Sequence, residues 1–149
     1  MKIVLDTNII FSAVLNSSGK IGDLLLTSDD VFQFYTCDYL RDELAEHHDK
    51  LKRISKLSDK EITFSKELIF KNIHFINEYL IPNEHLTYAE NLVADVDPND
   101  SDFIALCAFL GCPLWSGDKK LQKGLIAKGY DKVMLTNDLW ELRQTLRLL

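Results

Sequence analysis

Short apolar runs alternate along the chain with longer segments whose apolar residues recur at helical spacing. The first run, Lys2–Leu5, contains Ile3 and Val4 and has the composition of a strand buried in a parallel sheet. Similar runs predict four further strands, at residues 32–37, 77–81, 113–116 and 133–136. Because strands that alternate with helices are joined by crossover connections, the pattern predicts an α/β fold with a mainly parallel sheet.

The segments between these strands carry the capping and end signals of helices. Asp38, Ser58 and Asn137 stand where they would cap helices, and Gly111 and Gly129 follow the last turns of two others. The predicted helices cover residues 7–15, 21–26, 38–52, 58–73, 97–110, 119–128 and 137–147. Residues 16–19 are predicted as a loop, and residues 84–95 favour neither type. No repeat or linker divides the chain, so we expect one domain, residues 1–149, with helices on both faces of the sheet.

Length and composition are those of a folded intracellular protein. The chain has 149 residues, of which 46% are hydrophobic, enough to form a core. Its longest apolar run, residues 103–115, is interrupted by glycine and proline and is shorter than the roughly 20 residues of a membrane-spanning helix. The N-terminus lacks the apolar region and cleavage site of a secretory signal. Cys37, Cys107 and Cys112 are odd in number and lack C-x-x-C spacing, so we expect reduced thiols in a cytoplasmic protein with no membrane partner.

Four carboxylates fall at positions that a parallel sheet would bring to one edge. Ligands of open α/β sheets bind at the carboxyl ends of the strands. Asp6 directly follows the first strand, and Asp118 lies two residues after the fourth. Asp100 lies at the start of the helix before that fourth strand, and Glu43 lies one turn into the helix that follows the second strand. These residues could therefore converge, although they are far apart in sequence.

The chemistry expected of such a cluster is that of a divalent cation. Ionised carboxylates repel each other unless a cation lies between them, and oxygen ligands suit Mg²⁺ or Mn²⁺. One or two such ions can activate a water and neutralise the charge that develops on a phosphodiester. The net charge of −6 argues against a nucleic-acid partner, but counting four acids as metal ligands reduces it to −2. No H-E-x-x-H, Walker or G-x-S-x-G motif indicates another chemistry.

Four motifs stand in order along almost the whole chain: Leu5-Asp6-Thr7-Asn8, residues 39–44 (YLRDEL), residues 97–106 (DPNDSDFIAL) and residues 114–118 (LWSGD). Together they resemble the motifs of the PIN domain, and most strongly those of the branch described as toxins of toxin–antitoxin pairs. The resemblance implies a Rossmann-like three-layer α/β/α sandwich. It also implies a hydrolase, an endoribonuclease that cleaves RNA phosphodiester bonds with Mg²⁺ or Mn²⁺.

The resemblance further implies roles for individual residues. It implies four catalytic carboxylates that hold the metal: Asp6, Glu43, Asp100 and Asp118. Asn8 and Ser116 occupy positions of polar residues that order the acids or the waters on the metal. Because three acids surround the third position, Asp102 remains an alternative ligand to Asp100, and Asp97 is a supporting residue. An RNA substrate, an antitoxin protein and a homodimer are the partners that the resemblance implies.

Each acid also has an ordinary structural explanation. Asp6 and Asp118 could cap the helices that follow them. Asp97, before a proline, has the character of a helix start in which Asp100 favours the helix dipole. Glu43 could lie on a solvated helix face. Their joint placement at one edge of the sheet is what favours a functional site.

The basic residues form two groups, for which solvated helix faces are the default interpretation. The first group is Lys50, Lys52, Arg53 and Lys56. The second group is Lys119, Lys120 and Lys123, directly after Asp118. Lys119 and Lys120 are therefore the candidate contacts to RNA phosphates. His47 and His48 are adjacent, point to different sides of a helix and are expected at the surface.

Two other classes of function stay open. A Mg²⁺-dependent phosphatase or a receiver-like phosphoryl-transfer protein would use Asp6 as nucleophile or phosphoryl acceptor. However, no acid adjoins Asp6 and no lysine directly follows residues 133–136, as a receiver would require. A non-catalytic binding module of the same fold is the third alternative, and it would have no need of converging carboxylates.

Overall fold

A five-stranded parallel sheet forms the centre of the computed structural model, which describes residues 1–149. The strands are Lys2–Leu5 (β1), Gln33–Cys37 (β2), Ile73–Ile76 (β3), Leu114–Trp115 (β4) and Val133–Met134 (β5). Their order in the sheet is β3-β2-β1-β4-β5, and every neighbouring pair is parallel. The chain runs outward from β1 to β3 and then returns to the other side of β1 as β4. The carboxyl ends of β1 and β4 therefore flank the point where the strand order reverses, the usual place for a ligand in such a sheet.

Nine α-helices connect the strands and cover the sheet. They are Thr7–Leu15 (α1), Lys20–Thr27 (α2), Leu40–Glu46 (α3), His48–Ser55 (α4), Asp59–Phe70 (α5), Asn83–Val93 (α6), Ser101–Leu110 (α7), Lys119–Ile126 (α8) and Thr136–Leu148 (α9). Two short 3₁₀ turns, Glu78–Leu80 and Pro98–Asp100, precede α6 and α7. The segment for which the sequence favoured neither type is therefore helical as far as Val93, and its last two residues form a turn.

Two hydrophobic clusters pack against opposite faces of the sheet. Successive side chains of a strand point to opposite faces, so Ile3 and Leu5 enter one cluster while Val4 enters the other. The first cluster includes residues of α1, α2, α5 and α9, and the second includes residues of α6, α7 and α8. Trp115 is fully buried in the first cluster. This arrangement confirms the predicted three-layer α/β/α sandwich.

The third strand does not lie where its sequence pattern placed it. The predicted strand at residues 77–81 is wrong, because Asn77 accepts a hydrogen bond from the amide of Tyr79 and starts the 3₁₀ turn. The strand at this point of the sheet is β3, whose residues the sequence assigned partly to the preceding helix. That helix, α5, begins after Ser58 as predicted, with the Ser58 hydroxyl accepting from the amide of Glu61 at 3.2 Å. It ends at Phe70 rather than at residue 73.

Two other helix predictions require correction at their ends. The predicted helix at residues 38–52 is divided into α3 and α4 at His47, and Tyr39 rather than Asp38 precedes its first turn. Asn137 does not cap the last helix. The cap is Leu135, whose amide donates to the Asp138 carboxylate at 2.9 Å, while the Asn137 side chain accepts from a lysine of α2.

Several remaining predictions agree with the structure. Gly111 adopts a left-handed conformation, with φ of 66°, and ends α7. The three cysteines are free and buried. No single helix has the length and hydropathy needed to span a membrane. Helices α1 and α2 reach that length and hydropathy only when they are taken together, and the chain bends by 101° between them.

Candidate metal centre

The candidate centre lies at the carboxyl ends of β1 and β4. Leu5 pairs with Trp115 in the sheet, and the amide of Asp6 donates to the Trp115 carbonyl at 3.3 Å. Asp6 and Ser116 therefore leave neighbouring strands at the same level. Asp118 follows two residues later, at the beginning of α8. The parallel pairing thus brings together residues that are more than a hundred positions apart.

Three carboxylates come close enough to share one cation. Oxygens of Asp97, Asp100 and Asp118 all lie within 4.8 Å of one another, and all three residues are half-buried. The sequence analysis named Asp97 only as a supporting residue. In the structure it belongs to this group of three, which we call the acid triad.

The local sequence explains how the acid triad is held. Asp97 accepts a hydrogen bond from the amide of Asn99 at 3.1 Å, and the Asp100 amide donates to the Asp97 carbonyl at 3.1 Å. Pro98 occupies the first position of this 3₁₀ turn, where its fixed φ is favourable. Asp118 caps α8 by accepting from the amides of Lys120 and Leu121 at 2.9 and 3.1 Å. Capping is therefore real for Asp97 and Asp118, and it orients them rather than excluding a further role, whereas the side chain of Asp100 makes no capping hydrogen bond.

Asp6 is the most buried acid of the site, with 3% of its surface exposed. Its carboxylate caps α1 by accepting from the amide of Ile9 at 3.0 Å. Burial raises the pKa of Asp6, hydrogen bonding from the Ser116 side chain and from the Ile9 amide lowers it, and the charge of Asp118 raises it again. Asp6 is thus electrostatically connected with the acid triad although it is not one of its three members.

Asp100 is the acid whose ionisation the surroundings oppose most clearly. Burial, followed by the negative charges of Asp97, Asp6 and Asp118, raises the pKa of Asp100 to about 7. A cation placed among these carboxylates would reverse the effect, because it would stabilise every ionised oxygen that it contacts. The donor set contains only carboxylate oxygens, which fits a hard divalent cation such as Mg²⁺ or Mn²⁺.

Asp102, the other candidate for the third position, lies in a different environment. It is in the first turn of α7, where burial and the charges of Glu78 and Glu90 raise its pKa. Neither Asp97 nor Asp118 contributes to that shift, whereas both act on Asp100. The structure therefore separates the two residues, with Asp100 in the acid triad and Asp102 near Glu78 and Glu90.

Glu43 lines a cleft of about 640 Å³ that begins at the acid triad. Its carboxylate accepts a hydrogen bond from the Thr7 hydroxyl at 3.2 Å, which connects α3 with α1. Asp97 and Asp100 line the same cleft, but Glu43 is not among the carboxylates that lie within 4.8 Å of one another.

The two polar residues of the motifs occupy different positions. Ser116 is fully buried, its hydroxyl accepts from the amide of Asp118 at 3.1 Å, and its side chain lowers the pKa of Asp6. It therefore connects two acids of the site. Asn8 is exposed and lines the cleft.

The basic residues are arranged differently from the expectation. Lys119 and Lys120 are exposed at the beginning of α8 and do not line the cleft, whereas Lys50 of α4 does. The sequence pattern of Lys50 is that of a solvated helix face. The sequence contains no signal that Lys50 lines the cleft, because no local motif predicts the division of the helix at His47. His47 also lines the cleft, and the His48 ring hydrogen bonds to Asp59 at 2.8 Å.

Comparison with known proteins places this arrangement in a family context. A family model described as PIN domain matches residues 4–144, nearly the whole chain. The match includes all the acids discussed above. No curated protein gives a significant match to the sequence.

Proposed function

The chain belongs to the PIN-domain family, whose members are generally metal-dependent nucleases, and from this premise we propose that it is an endoribonuclease that hydrolyses RNA phosphodiester bonds with Mg²⁺ or Mn²⁺. The observation that supports the proposal best is the acid triad, in which oxygens of three carboxylates lie within 4.8 Å at the edge of the sheet. Such a cluster is unfavourable alone and becomes favourable around a cation.

Each acid has a distinct part in the proposed centre. Asp97, Asp100 and Asp118 would hold the cation directly. A divalent cation bound there would supply an acidified water as nucleophile and would offset the charge of the phosphodiester. Asp6 adds negative charge from the buried side, where the amide of Ile9 donates to its carboxylate and the Ser116 side chain favours its ionised form.

Glu43 is the other motif acid in the cleft. Its carboxylate accepts a hydrogen bond from Thr7 and lines the same cleft as Asp97 and Asp100. From that position Glu43 would act on the cation's waters or on a second cation rather than as a member of the acid triad.

The burial of Asp6 argues against the phosphoryl-transfer alternative. A nucleophilic or phospho-accepting aspartate must reach its substrate, but only 3% of Asp6 is exposed and its carboxylate already caps α1. Formation of a phospho-aspartate at Asp6 with a small phosphodonor would revive this alternative.

We further propose that the protein is the toxin of a toxin–antitoxin pair. The support is the resemblance of the four sequence motifs, in order along the chain, to that branch of the family. Expression of the protein alone should arrest growth, and co-expression with the product of an adjacent small gene should restore it. Growth arrest that persists in an Asp118→Asn variant would contradict a nuclease toxin.

The nuclease proposal is tested by cleavage of a single-stranded oligoribonucleotide in Mn²⁺ or Mg²⁺. Asp100→Asn and Asp118→Asn should each lose nearly all activity. Asp102→Asn is the matched control. Asp102 lies two residues after Asp100, in the first turn of α7, but its carboxylate is not part of the acid triad. We expect Asp102→Asn to remain active.

Two results would contradict this proposal. One is undiminished cleavage by the wild-type protein in excess EDTA. The other is full activity in both Asp100→Asn and Asp118→Asn. Thermal melting in EDTA shows whether a variant has lost activity because it is unfolded. Asp100→Asn removes a carboxylate that is repelled by its neighbours, so this variant should melt at no lower temperature than the wild-type protein.

A further inference from the structure

The cleft beside the acid triad is lined by apolar, aromatic and basic side chains as well as by carboxylates. From the triad it passes between α1, α3, α4 and α7. Its apolar lining includes Phe11, Leu15, Ile54 and Phe103. A volume of about 640 Å³ lies within the range of roughly 300–1,000 Å³ typical of pockets that enclose small organic groups. The cleft could therefore hold a group the size of one or two nucleotides.

Aromatic rings are available in this cleft for stacking. Phe11 and His47 lie with ring centroids 5.8 Å apart and at 59° to each other. Tyr39 and Phe103 form a second tilted pair at 6.0 Å. All four residues line the cleft, but Phe103 is only 2% exposed, so the rings of Phe11, Tyr39 and His47 are the ones that a ligand can reach. A nucleobase gains favourable contact with such rings regardless of its identity, since every base has a π-face.

Lys50 supplies the positive charge of the cleft. It is the only lysine or arginine in the lining, and it forms no ion pair within the chain. Lys52, one half-turn further along α4, is instead paired with Asp59. An unpaired lysine in the same cleft as a group of acids is suited to bind a phosphate that extends from the site, because it offers a compensating positive charge outside the acid triad.

We propose that this cleft is a subsite for one unpaired nucleotide next to the scissile phosphate, with its base against Phe11 and His47 and its phosphate at Lys50. The inference rests on the proposed nuclease function and adds a specific binding site to it. Duplex nucleic acid does not fit this subsite, because its bases are stacked inside the helix and present no free face. Lys50, rather than Lys119 or Lys120, is the phosphate contact that governs substrate affinity.

The first test compares charge reversals at two lysines. Lys50→Glu alters the cleft, and Lys71→Glu is the matched control, since Lys71 is exposed just before β3 at the opposite edge of the sheet. Binding of a fluorescent single-stranded oligoribonucleotide is measured in EDTA and in Mn²⁺ at several salt concentrations. Lys50→Glu should raise Kd on the order of tenfold and reduce the salt dependence by about one counterion, while Lys71→Glu should bind like the wild-type protein.

The second test concerns the base. A set of oligoribonucleotides, each with one abasic nucleotide, is compared for binding to the wild-type protein. Loss of the base that enters the cleft should raise Kd by at least about fivefold at one position next to the cleavage site and much less elsewhere. In steady-state cleavage, Lys50→Glu should raise KM with little change in kcat, which a general loss of structure would not produce.

The outcomes distinguish this subsite from the nuclease proposal. If wild-type protein binds the strand through Lys50 but never cleaves it, the subsite stands and the nuclease proposal fails. If it cleaves RNA while Lys50→Glu and Lys71→Glu have equal Kd and KM values, the subsite is overturned and the nuclease proposal stands. No binding of single strands by the wild-type protein, or equal affinity for every abasic probe, would also overturn the subsite.

Discussion

The hydroxyl of Ser116 accepts a hydrogen bond from the backbone amide of Asp118 at 3.1 Å, and from the same buried position the Ser116 side chain lowers the pKa of Asp6. One side chain thereby fixes the loop after β4 and stabilises the ionised form of the acid after β1. The relationship gives Ser116 a positioning role, because it lies between two acids and is itself fully buried.

Ser116→Ala should therefore weaken the metal centre without removing a ligand. Loss of the hydroxyl leaves the Asp118 amide without its acceptor and raises the pKa of Asp6 further. Partners that orient metal ligands typically contribute about 10- to 100-fold in affinity or activity. We expect a loss of that size in Mn²⁺ affinity, measured by calorimetry.

Ser65→Ala is the matched control for this prediction. Ser65 is also buried, and its hydroxyl donates to the Val14 carbonyl at 2.9 Å, away from the acids. Both variants should lose about 1–3 kcal/mol of unfolding free energy. Equal Mn²⁺ affinity in the two variants would contradict the role of Ser116.

The pKa of Asp100 predicts how stability depends on pH in the absence of metal. The folded protein raises this pKa to about 7, whereas an unfolded aspartate has a pKa of about 3.9. The folded state therefore binds more protons between these values, and its unfolding free energy falls as pH rises from about 4 to 7. Wild-type protein in EDTA should melt at a lower temperature at pH 8 than at pH 5.

Asp100→Asn isolates the contribution of this carboxyl. The variant should show a smaller difference between pH 5 and pH 8, because the amide does not ionise. Added Mn²⁺ should raise the melting temperature of the wild-type protein more at pH 8 than at pH 5, since the ion competes with the proton. The assigned environment of Asp100 would be contradicted if, in EDTA, the wild-type protein melted at a higher temperature at pH 8 than at pH 5 and Asp100→Asn showed the same difference.

The position of Glu43 predicts a separation between metal binding and cleavage. Glu43 lines the cleft but lies outside the acid triad. Glu43→Gln should therefore lose much less Mn²⁺ affinity than Asp100→Asn, measured by the same titration, while its cleavage rate falls. Thr7→Val, which removes the hydrogen bond to Glu43, should lower the cleavage rate in the same direction but to a smaller extent. Equal losses of affinity in Glu43→Gln and Asp100→Asn would place Glu43 among the direct ligands.

A buried arginine attaches the last helix to the rest of the fold. Arg143 of α9 is 3% exposed and donates to Asp23 at 3.0 Å and to Ser28 at 3.0 Å. Its guanidinium also lies 4.2 Å from the ring centroid of Trp140. Arg143→Met should lower the unfolding free energy by about 1–3 kcal/mol in denaturant titrations, because the buried Ser28 hydroxyl loses its donor, whereas the carboxylate of Asp23 is 43% exposed and is hydrated by water.

Arg147→Met provides the comparison, since Arg147 pairs with Asp30 at the exposed surface of the same helix. Arg147→Met should lower the unfolding free energy much less than Arg143→Met does. Neither variant should change Mn²⁺ affinity at temperatures where it is folded. A similar loss of stability in both would contradict the importance of burial at Arg143.

The sequence allowed most of the sheet and its order of elements to be predicted. Apolar runs identified β1 and β2, and capping residues identified the starts of α1, α5 and α8. The third strand was misplaced because Ile73–Ile76 continues the apolar spacing of the helix before it. Only tertiary pairing with β2 selects the extended conformation for this segment.

The sequence indicated the edge of the sheet where the candidate site lies more accurately than it indicated which residues form the site. Strand ends indicated Asp6 and Asp118 because parallel pairing aligns them. The inclusion of Asp97 depends on the 3₁₀ turn that returns its carboxylate toward Asp100, which spacing alone does not determine. Lys50 lines the cleft on α4, the helix that follows the break at His47, and that break has no local sequence signal.

The central claim is that the acid triad binds a divalent cation, and the most direct test is the anomalous difference density of crystals soaked in Mn²⁺. We predict a peak among the carboxylates of Asp97, Asp100 and Asp118, and its disappearance in Asp100→Asn but not in Asp102→Asn. Density beside Asp102 and Glu78 instead, or no Mn²⁺ at the acid triad in the wild-type crystals, would contradict the claim.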